Sequence, residues 1–309
     1  MKKIAFVVNP HAANGAAAKR WPAIAAQAKT LLGDFDTLFT ERSGHAIELA
    51  RQAAAGGAEL VVSVGGDGTM NEVVNGLMAP NSVAVNPATA LGQICIGTGG
   101  DFRKTTGLPK EPEAALTWLA GDKTLPLDIG RLDMFDLQDR EIVRYFVNIA
   151  SFGIGGDLDA RVNRTTKIFG GFASFAWGSL VSMLGYKNQP VRLRLDDVDL
   201  GERVIFTVAA ANGQYFGGGM HPAPNASPYD GWFDVVIMGD IRLVERFATM
   251  PKIYKAEHIH HPKVEVRRAK KIVATSAETV LFDVDGETPG RLPATITLLP
   301  GALKLKVKD

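Results

Sequence analysis

The sequence predicts an α/β domain followed by a β-sandwich. Up to about residue 127, unbroken apolar runs alternate with segments of helical character. Apolar strands joined by helices are typical of a parallel sheet that is covered on both faces. From about residue 128 onward, short strand-like runs separated by turn residues dominate, which is typical of a β-sandwich. The length of 309 residues agrees with about two domains.

Strands and helices alternate in the first part. The first strand is wholly apolar, and an alanine-rich helix follows it. Pro112 stands in the favoured first-turn position of the last helix. The predicted strands are residues 4–8, 35–39, 60–64 and 93–96. The predicted helices are residues 16–32, residues 45–55, one that opens near Met70 and one that starts at Pro112.

The second part is predicted to be a series of strands with two helical interruptions, at 167–184 and 241–250. The predicted strands are 129–135, 142–149, 191–195, 204–211, 233–238, 264–268, 272–275, 280–284, 296–299 and 303–307. Residues 168–186 carry no charge, but their four glycines and three serines make a poor membrane span. We therefore expect no transmembrane segment there, but a helix that is buried in a soluble domain or lines an apolar ligand site.

Charge and cysteine content exclude several classes of protein. A formal net charge of +1 at pH 7 gives no case for nucleic acid as the main partner. The single cysteine, Cys95, excludes an internal disulfide and a cysteine-rich zinc site. These features agree with a cytoplasmic protein.

The strongest local signal is the run Gly65-Gly66-Asp67-Gly68-Thr69, which lies between a predicted strand and a predicted helix. Glycines allow the backbone to turn sharply and to approach a ligand closely. The amide groups at a helix N-terminus suit a phosphate. A plain glycine-rich turn in which Asp67 caps the helix is the alternative interpretation.

Two more polar loops follow strands of the same sheet. Asn9-Pro10 ends the first strand, and Asn14-Gly15 opens the next helix. Residues 97–102, with the sequence GTGGDF, follow the strand 93–96. Ligands in open α/β sheets bind at the carboxyl ends of the strands. Three such loops at one sheet edge therefore indicate a nucleotide cleft.

These motifs resemble the diacylglycerol kinase catalytic-domain superfamily, which includes soluble bacterial lipid kinases and the sphingosine and ceramide kinases. Residues 65–77, with the sequence GGDGTMNEVVNGL, are similar to its nucleotide-binding segment. The remaining landmarks occur in the family's order along nearly the whole chain. They are Asn9-Pro10 with Asn14-Gly15, Thr40 with Gly44-His45-Ala46, residues 211–213, residues 215–220 ending at Asp230-Gly231, Asp285-Gly286-Glu287 and residues 299–303.

The resemblance implies a Rossmann-like (phosphofructokinase-like) α/β domain at 1–127 and a lipid-binding β-sandwich at 128–290, with the last strands, about 291–309, returning to the first domain. ATP would lie in the cleft between the domains. The positions that match nucleotide-binding residues are Asn9, Asn14, Gly15, Thr40, Gly65, Gly66, Asp67, Gly68, Thr69 and Thr98. Three departures touch these motifs: Gly100 and Asn225 replace a common Asn and Asp, and Asn14 replaces a common Ser.

Asp67 and Glu287 are the predicted catalytic residues. By the resemblance, Asp67 lies beside the phosphates and the metal, and Glu287 is the general base that accepts the proton of the lipid hydroxyl. Phosphoryl transfer needs positioned phosphates, Mg²⁺ and a residue that orients or deprotonates the attacking hydroxyl. A carboxylate beside a glycine cradle suits Mg²⁺. The alternative for Asp285-Gly286-Glu287 is a plain hairpin turn, since Asp-Gly is a common turn pair.

Further site residues follow from the resemblance. Asp230 matches an aspartate that binds a structural Mg²⁺, with Ser227 and Trp232 at the carbonyl positions; a simple Asp-Gly turn is the alternative. Asp101, Asp157 and Asp159 are candidate substrate-binding residues. For Asp157 and Asp159, acidic residues at a helix start are the alternative.

The predicted function is an ATP- and Mg²⁺-dependent lipid kinase, most simply one that converts diacylglycerol to phosphatidic acid. An NAD kinase-like enzyme is a rival, because its nucleotide loop also reads GGDGT, and a catalytically silent lipid or nucleotide sensor is another. Residues 215–230 favour the lipid kinase over the NAD kinase. We expect a cytoplasmic protein that associates peripherally with a membrane surface to reach its lipid. The sequence is compatible with a homodimer but does not determine the oligomeric state.

Overall fold

The computed structural model describes residues 2–97, 99–154, 156 and 185–309. The predicted helix at 167–184 lies outside these residues. The first part of the chain forms four strands and five helices, much as the apolar runs predict. These elements are β1 (Ile4–Val8), α1 (Ala12–Leu32), β2 (Asp36–Phe39), α2 (His45–Ala55), β3 (Leu60–Gly65), α3 (Asp67–Leu77), β4 (Ala90–Cys95), α4 (Asp101–Thr106) and α5 (Pro112–Ala120).

The second part is mostly β structure. Its strands are β5 (Thr124–Phe135), β6 (Glu141–Phe146), β7 (Ile149–Gly153), β8 (Gln189–Leu195), β9 (Val198–Ile205), β10 (Thr207–Ala211), β11 (Phe233–Met238), β12 (Val264–Ala269), β13 (Lys271–Thr275), β14 (Phe282–Val284) and β15 (Arg291–Lys306). The helix α6 (Leu243–Ile253) and a 3₁₀ turn (Glu257–His260) lie between β11 and β12.

The strands form two sheets. In the larger one, β1 pairs in parallel with β2 and β3, and β3 pairs in parallel with β4. The order continues from β4 through β15, β13 and β8 to β9, and β5 and β6 branch from β15. The smaller, antiparallel sheet has the order β12-β11-β10-β7-β14. These sheets confirm the predicted class of an α/β domain with a β-sandwich.

The last strand, β15, belongs to both parts of the chain. It is antiparallel to β5 and β13, and its end pairs in parallel with β4 at Lys304 and Leu305. The larger sheet therefore continues from the parallel strands of the first part into the second. The two predicted strands at 296–299 and 303–307 are one long strand with register shifts.

Two predicted strands are each divided between the two sheets. The run 142–149 forms β6 in the larger sheet and β7 in the smaller one, and the chain crosses at Val147 and Asn148. The run 204–211 likewise divides at Phe206 into β9 and β10. The single-strand prediction was wrong because an apolar run shows that a segment is buried but does not show which sheet it joins.

The core of the sandwich is filled by aromatic side chains from both sheets. Phe146 stacks on Phe233 with ring centroids 5.6 Å apart, and Phe152 meets Phe282 edge-to-face at 5.3 Å. All four side chains are fully buried. Within the described residues, no helix combines the length and the apolar character that a membrane span needs.

Replacing Phe282 by Ala should lower the free energy of unfolding by about 3–5 kcal/mol, because the change removes a fully buried ring and leaves a cavity. Thermal or urea unfolding followed by circular dichroism measures the loss. The matched control is Leu137→Ala, since Leu137 is 54% exposed and should change stability by less than about 0.5 kcal/mol. Equal losses in both variants would show that the sandwich core is not where the structure places it.

Candidate active site

The glycine-rich loop joins β3 to α3. Asp67 is the first residue of α3, and Gly66 precedes the helix with an extended backbone. A Cβ at Gly65 would lie 2.5 Å from Thr69 Oγ1, so only glycine allows the helix to start this close to the strand. Asn9, at the end of β1, donates from Nδ2 to Thr69 Oγ1 over 3.1 Å. The structure thus places the first loop against the glycine-rich loop, as the parallel-sheet prediction implies.

The loop after β4 packs directly on the glycine-rich loop. A Cβ at Gly97 would lie 2.9 Å from Gly66 Cα, and the Ile96 N–H donates to Gly65 O over 2.8 Å. Backbone therefore meets backbone, and position 97 has no room for a side chain, whereas a Cβ at Gly66 would lie 4.0 Å from Gly97 Cα, an ordinary contact. This contact gives a physical reason for glycine at position 97 that a turn alone does not require.

The first loop has an unusual backbone. Ala13, Asn14 and Gly15 all have left-handed φ angles, of 51°, 55° and 84°. The regular part of α1 consequently begins after Gly15, close to the predicted start at residue 16. A left-handed backbone is costly for residues other than glycine, and runs of it are associated with binding loops.

Thr40 and the start of α2 lie beside this edge. Thr40 is buried at the end of β2, where its N–H donates to Val8 O over 2.9 Å. The Glu72 carboxylate of α3 accepts hydrogen bonds from the N–H groups of Gly44 (2.8 Å) and Ala46 (3.1 Å). Glu72 therefore caps α2 and ties the Thr40 loop to α3, a role that the sequence analysis did not identify.

The Asp67 carboxylate has one satisfied and one unsatisfied oxygen. Oδ2 accepts hydrogen bonds from the N–H groups of Gly100 (2.8 Å) and Asp101 (3.2 Å). Oδ1 is buried and has no hydrogen-bond partner among the described residues. Burial raises the pKa of Asp67, against the lowering effect of these backbone donors. Among the described residues, Oδ1 of Asp67 is the only buried carboxylate oxygen without a hydrogen-bond partner, and a carboxylate oxygen suits Mg²⁺.

Asp101 bridges α4 and the second part of the chain. One oxygen pairs with Lys104 Nζ at 2.8 Å, and the other accepts the Gly218 N–H over 2.7 Å. The loop at 215–220 therefore reaches the edge of the predicted nucleotide cleft. The substrate-binding role of Asp101 stays a prediction, and its structural role as a bridge accounts for its burial.

The Asp285-Gly286-Glu287 segment is a tight turn, as the alternative interpretation had it. Val284 and Glu287 exchange both backbone hydrogen bonds, and Asp285 and Gly286 have φ angles of 49° and 91°. However, one side chain of the turn also lies close to the glycine-rich loop. A Cβ at Gly68 would lie 4.0 Å from Glu287 Oε1. The turn thus brings the Glu287 carboxylate to the first turn of α3, beside Gly68, the residue that follows Asp67.

Asp285 holds this turn in place, a role that the sequence analysis did not assign to it. Its carboxylate accepts hydrogen bonds from Asn71 Nδ2 (2.8 Å) and from the N–H groups of Val147, Asn148 and Ile149 (3.2, 3.2 and 2.9 Å). The residue is half-buried, but its carboxylate points inward. Burial raises the pKa of Asp285 to about 6, although these donors lower it.

Asn71 and Asn75 fix α3 to β6. Both amides are buried and donate to Tyr145 O, over 3.1 and 2.8 Å, and Asn75 Oδ1 accepts the Tyr145 N–H over 2.9 Å. Their spacing of four residues places them on one helix face. Two asparagines at this spacing, next to the apolar residues Val73, Val74 and Leu77 of the same helix, were the signal that could have identified the contact.

The predicted Mg²⁺ site at Asp230 stays a prediction. The Asp230 carboxylate pairs with Arg268 and accepts the Trp232 N–H over 3.1 Å. Arg268 also lies over the Trp232 ring, 5.4 Å from its centroid. No cluster of three acidic, histidine or cysteine side chains that could hold a metal occurs in the described part of the chain. Three other predicted site residues, Thr98, Asp157 and Asp159, lie outside the described residues.

Comparison with known proteins agrees with this geometry. Residues 3–132 match the diacylglycerol kinase catalytic domain, and residues 148–307 match the YegS C-terminal NAD kinase beta sandwich-like domain. The diacylglycerol kinase of Staphylococcus haemolyticus is 33% identical over 261 residues, covering 82% of this chain and 73% of the relative. The chain belongs to the diacylglycerol kinase family. It is accordingly a kinase, and the resemblance of its motifs to this family is confirmed.

Solved structures share the fold. A diacylglycerol kinase structure from Bacillus anthracis has a TM-score of 0.73 at 22% identity, covering 100% of this chain and 97% of that one. An NAD kinase from Archaeoglobus fulgidus in complex with ATP has a TM-score of 0.53 at 15% identity, covering 99% and 94%. The diacylglycerol kinase family and the NAD kinase therefore share one architecture, so the fold alone does not choose between their substrates.

Replacing Asp285 by Asn should change how stability depends on pH. The folded pKa of Asp285 is about 6 and the unfolded value is about 3.9. Between pH 4 and pH 6 the folded state therefore holds a proton that the unfolded state has lost, so stability falls as pH rises. Relative to Asp285→Asn, which does not titrate, the wild type should lose stability between pH 4 and pH 7. Urea unfolding of both proteins across this range measures the difference, and a difference that is constant with pH would contradict the assignment.

Proposed function

We propose that this family member transfers the γ-phosphate of ATP to the hydroxyl of a lipid, with diacylglycerol as the first substrate to test and phosphatidic acid as the product. The observation that carries the proposal is that two carboxylates lie beside the same glycine-rich loop. Asp67 presents a buried oxygen without a partner, and Glu287 lies beside Gly68. The relatives are named as diacylglycerol kinases, and this name, together with the family's kinase domain, supports ATP as the phosphate donor.

In the proposed reaction, the glycine-rich backbone and the N-terminus of α3 bind the phosphates of ATP. Asp67 Oδ1 is the residue atom that fits Mg²⁺, which would neutralise charge on the phosphates when bound. The Glu287 carboxylate accepts the proton of the lipid hydroxyl as the oxygen of that hydroxyl forms its bond to the γ-phosphorus. The bond from the γ-phosphorus to the bridging oxygen breaks, and ADP leaves with the electron pair.

The lipid class rests on the second part of the chain. Residues 215–230 are the stretch that resembles the lipid kinases and not the NAD kinases. Their first part, the loop at 215–220, extends to the predicted cleft through the hydrogen bond from Gly218 to Asp101. The NAD kinase-like alternative shares the phosphate cradle and the overall fold. We further propose a cytoplasmic location with peripheral association at a membrane, where such a substrate resides.

The substrate class is tested directly with the purified full-length protein, labelled ATP and a panel of acceptors. The panel contains diacylglycerol, monoacylglycerol, sphingosine and ceramide in mixed micelles, and NAD in buffer. Label in a lipid and not in NAD supports the proposal. Label in NAD alone would replace it with the NAD kinase alternative, and label in neither acceptor class would favour a silent sensor.

Replacing Glu287 by Gln tests the proposed base. The amide preserves shape but cannot accept the proton, so kcat should fall by about 10²–10⁴-fold while affinity for ATP stays the same. Initial rates at saturating ATP and lipid give kcat, and calorimetry with a non-hydrolysable ATP analogue gives affinity. The matched control is Glu278→Gln, because Glu278 is exposed and lies shortly before β14, the strand that leads into the Glu287 turn. An unchanged kcat in Glu287→Gln would remove Glu287 from the mechanism.

Replacing Asp67 by Asn tests the proposed metal ligand. The substitution removes the charge that fits Mg²⁺, so the Mg²⁺ concentration for half-maximal activity should rise at least about ten-fold, as metal affinity falls this much even when an outer partner of a ligand is lost. Activity titrated with MgCl₂ at fixed ATP measures the shift. Asp36→Asn, at an exposed position of β2, should leave the titration unchanged. An Asp67→Asn variant that titrates like the wild type would contradict the assignment.

A further inference from the structure

The helix α6 presents its apolar side chains to solvent. Val244 is 81% exposed, and Leu243, Phe247 and Tyr254 are 40%, 43% and 55% exposed. Leu243, Phe247 and Pro251 follow one another at intervals of four residues, so they form a stripe along one helix face. Soluble proteins rarely expose contiguous apolar surface of this kind without a binding role.

The opposite face of α6 buries a charge. Arg246 is 5% exposed and lies inside, with Thr249 and Ile253. Its guanidinium donates to Tyr186 O (2.9 Å), Asn188 Oδ1 (2.8 Å) and Ile241 O (3.2 Å). It also lies 4.9 Å from the centroid of the Phe206 ring. Rotating the helix to bury the apolar stripe would break these bonds and strand the carbonyl groups, so the outward orientation is fixed by the structure.

Basic residues border the apolar stripe. Arg242 precedes α6, while Lys252 lies in its last turn and Lys255 just beyond it, and all three are exposed. The acidic Glu245 of the same helix is paired with Lys263 at 2.7 Å and does not neutralise them. An apolar face bordered by Lys and Arg is the pattern of a helix that lies in the surface of an anionic membrane.

The α6 face is also connected to the candidate active site. The Ile253 carbonyl accepts the His221 N–H over 3.1 Å. His221 follows directly on the loop 215–220, and Gly218 of that loop donates to Asp101. The helix that would contact the membrane is therefore hydrogen-bonded to the residue that directly follows the loop 215–220.

We propose that the outward face of α6, formed by Leu243, Val244, Phe247, Pro251 and Tyr254 with the basic border, docks on the surface of an anionic lipid bilayer. The proposal rests on the proposed function in that a bilayer is where a lipid substrate would be found. Apolar side chains enter the acyl boundary, and the lysines and arginine contact the anionic head groups.

Vesicle binding by the full-length protein tests this without ATP or substrate. Sedimentation with vesicles of phosphatidylcholine containing 30% phosphatidylglycerol should capture the wild type. Val244→Ser/Phe247→Ser should bind at least about ten-fold more weakly, because two apolar side chains no longer leave water on docking. The matched control is Leu137→Ser/Val198→Ser, which changes two similarly exposed apolar residues elsewhere and should bind like the wild type.

A second arm tests the basic border. Lys252→Gln/Lys255→Gln should weaken binding to the anionic vesicles by about five-fold for each lysine removed. The same variant should show less weakening by salt than the wild type, because fewer charges are screened. Binding to pure phosphatidylcholine vesicles should be nearly the same for both proteins. An unchanged affinity for anionic vesicles in this variant would overturn the proposed role of the border.

The outcomes separate this inference from the proposed function. Circular dichroism and turnover of a soluble short-chain acceptor should be unchanged in Val244→Ser/Phe247→Ser, while turnover of vesicle-bound lipid falls. Wild type that fails to bind anionic vesicles, or a double variant that binds as well as the wild type, overturns the docking face. A variant that changes mass by light scattering while its vesicle binding is unchanged assigns the face to contact between copies, which also overturns it. Vesicle binding without phosphorylation of any lipid overturns the proposed function and leaves the docking face standing.

Discussion

The hydrogen bonds of the Asp285 carboxylate join the parts of the molecule on which the site depends. Three of its donors are the N–H groups of Val147, Asn148 and Ile149, where the chain leaves the larger sheet and enters the smaller one. Buried N–H groups at such a crossing need a partner, and the carboxylate supplies it. The fourth donor, Asn71, belongs to α3. The crossing between the two sheets, the helix α3 and the turn that contains Glu287 are therefore held by one side chain.

The position of Glu287 follows from this structural contact. Glu287 comes two residues after Asp285 in a turn whose backbone bonds close on themselves. Once the Asp285 carboxylate is anchored, the turn has little freedom, and the Glu287 carboxylate is directed to Gly68. Precise placement of a base by rigid neighbouring elements is what proton transfer requires. Within this short turn, Asp285 thus has the structural role and Glu287 has the proposed chemical role.

The sequence predicted the elements of the first part well, because strands such as Ile4–Val8 and Leu60–Gly65 are buried on both faces and read as unbroken apolar runs. It also predicted that the loops of Asn9, Asp67 and Gly97 lie at one edge of the sheet. It did not separate β6 from β7, since the crossing is made by a hydrogen bond to a residue 137 or 138 positions away. The anchoring role of Asp285 was not predicted, because its partners lie far away along the chain and Asp-Gly has the local signature of any tight turn.

Asp67 and the helix α6 both depart from local rules, and each lies where we propose contact with a ligand. Asp67 Oδ1 is a buried acceptor without a partner among the described residues, which costs stability unless a ligand supplies one. In α6 the pattern is inverted, with Arg246 inside and Val244 outside. Sequence patterns assign Leu, Val and Phe to the core side of a helix, on the assumption that the other side faces water. Real proteins break such rules mainly where function requires it, and this is why we propose that the glycine-rich loop and the α6 face bind ligands.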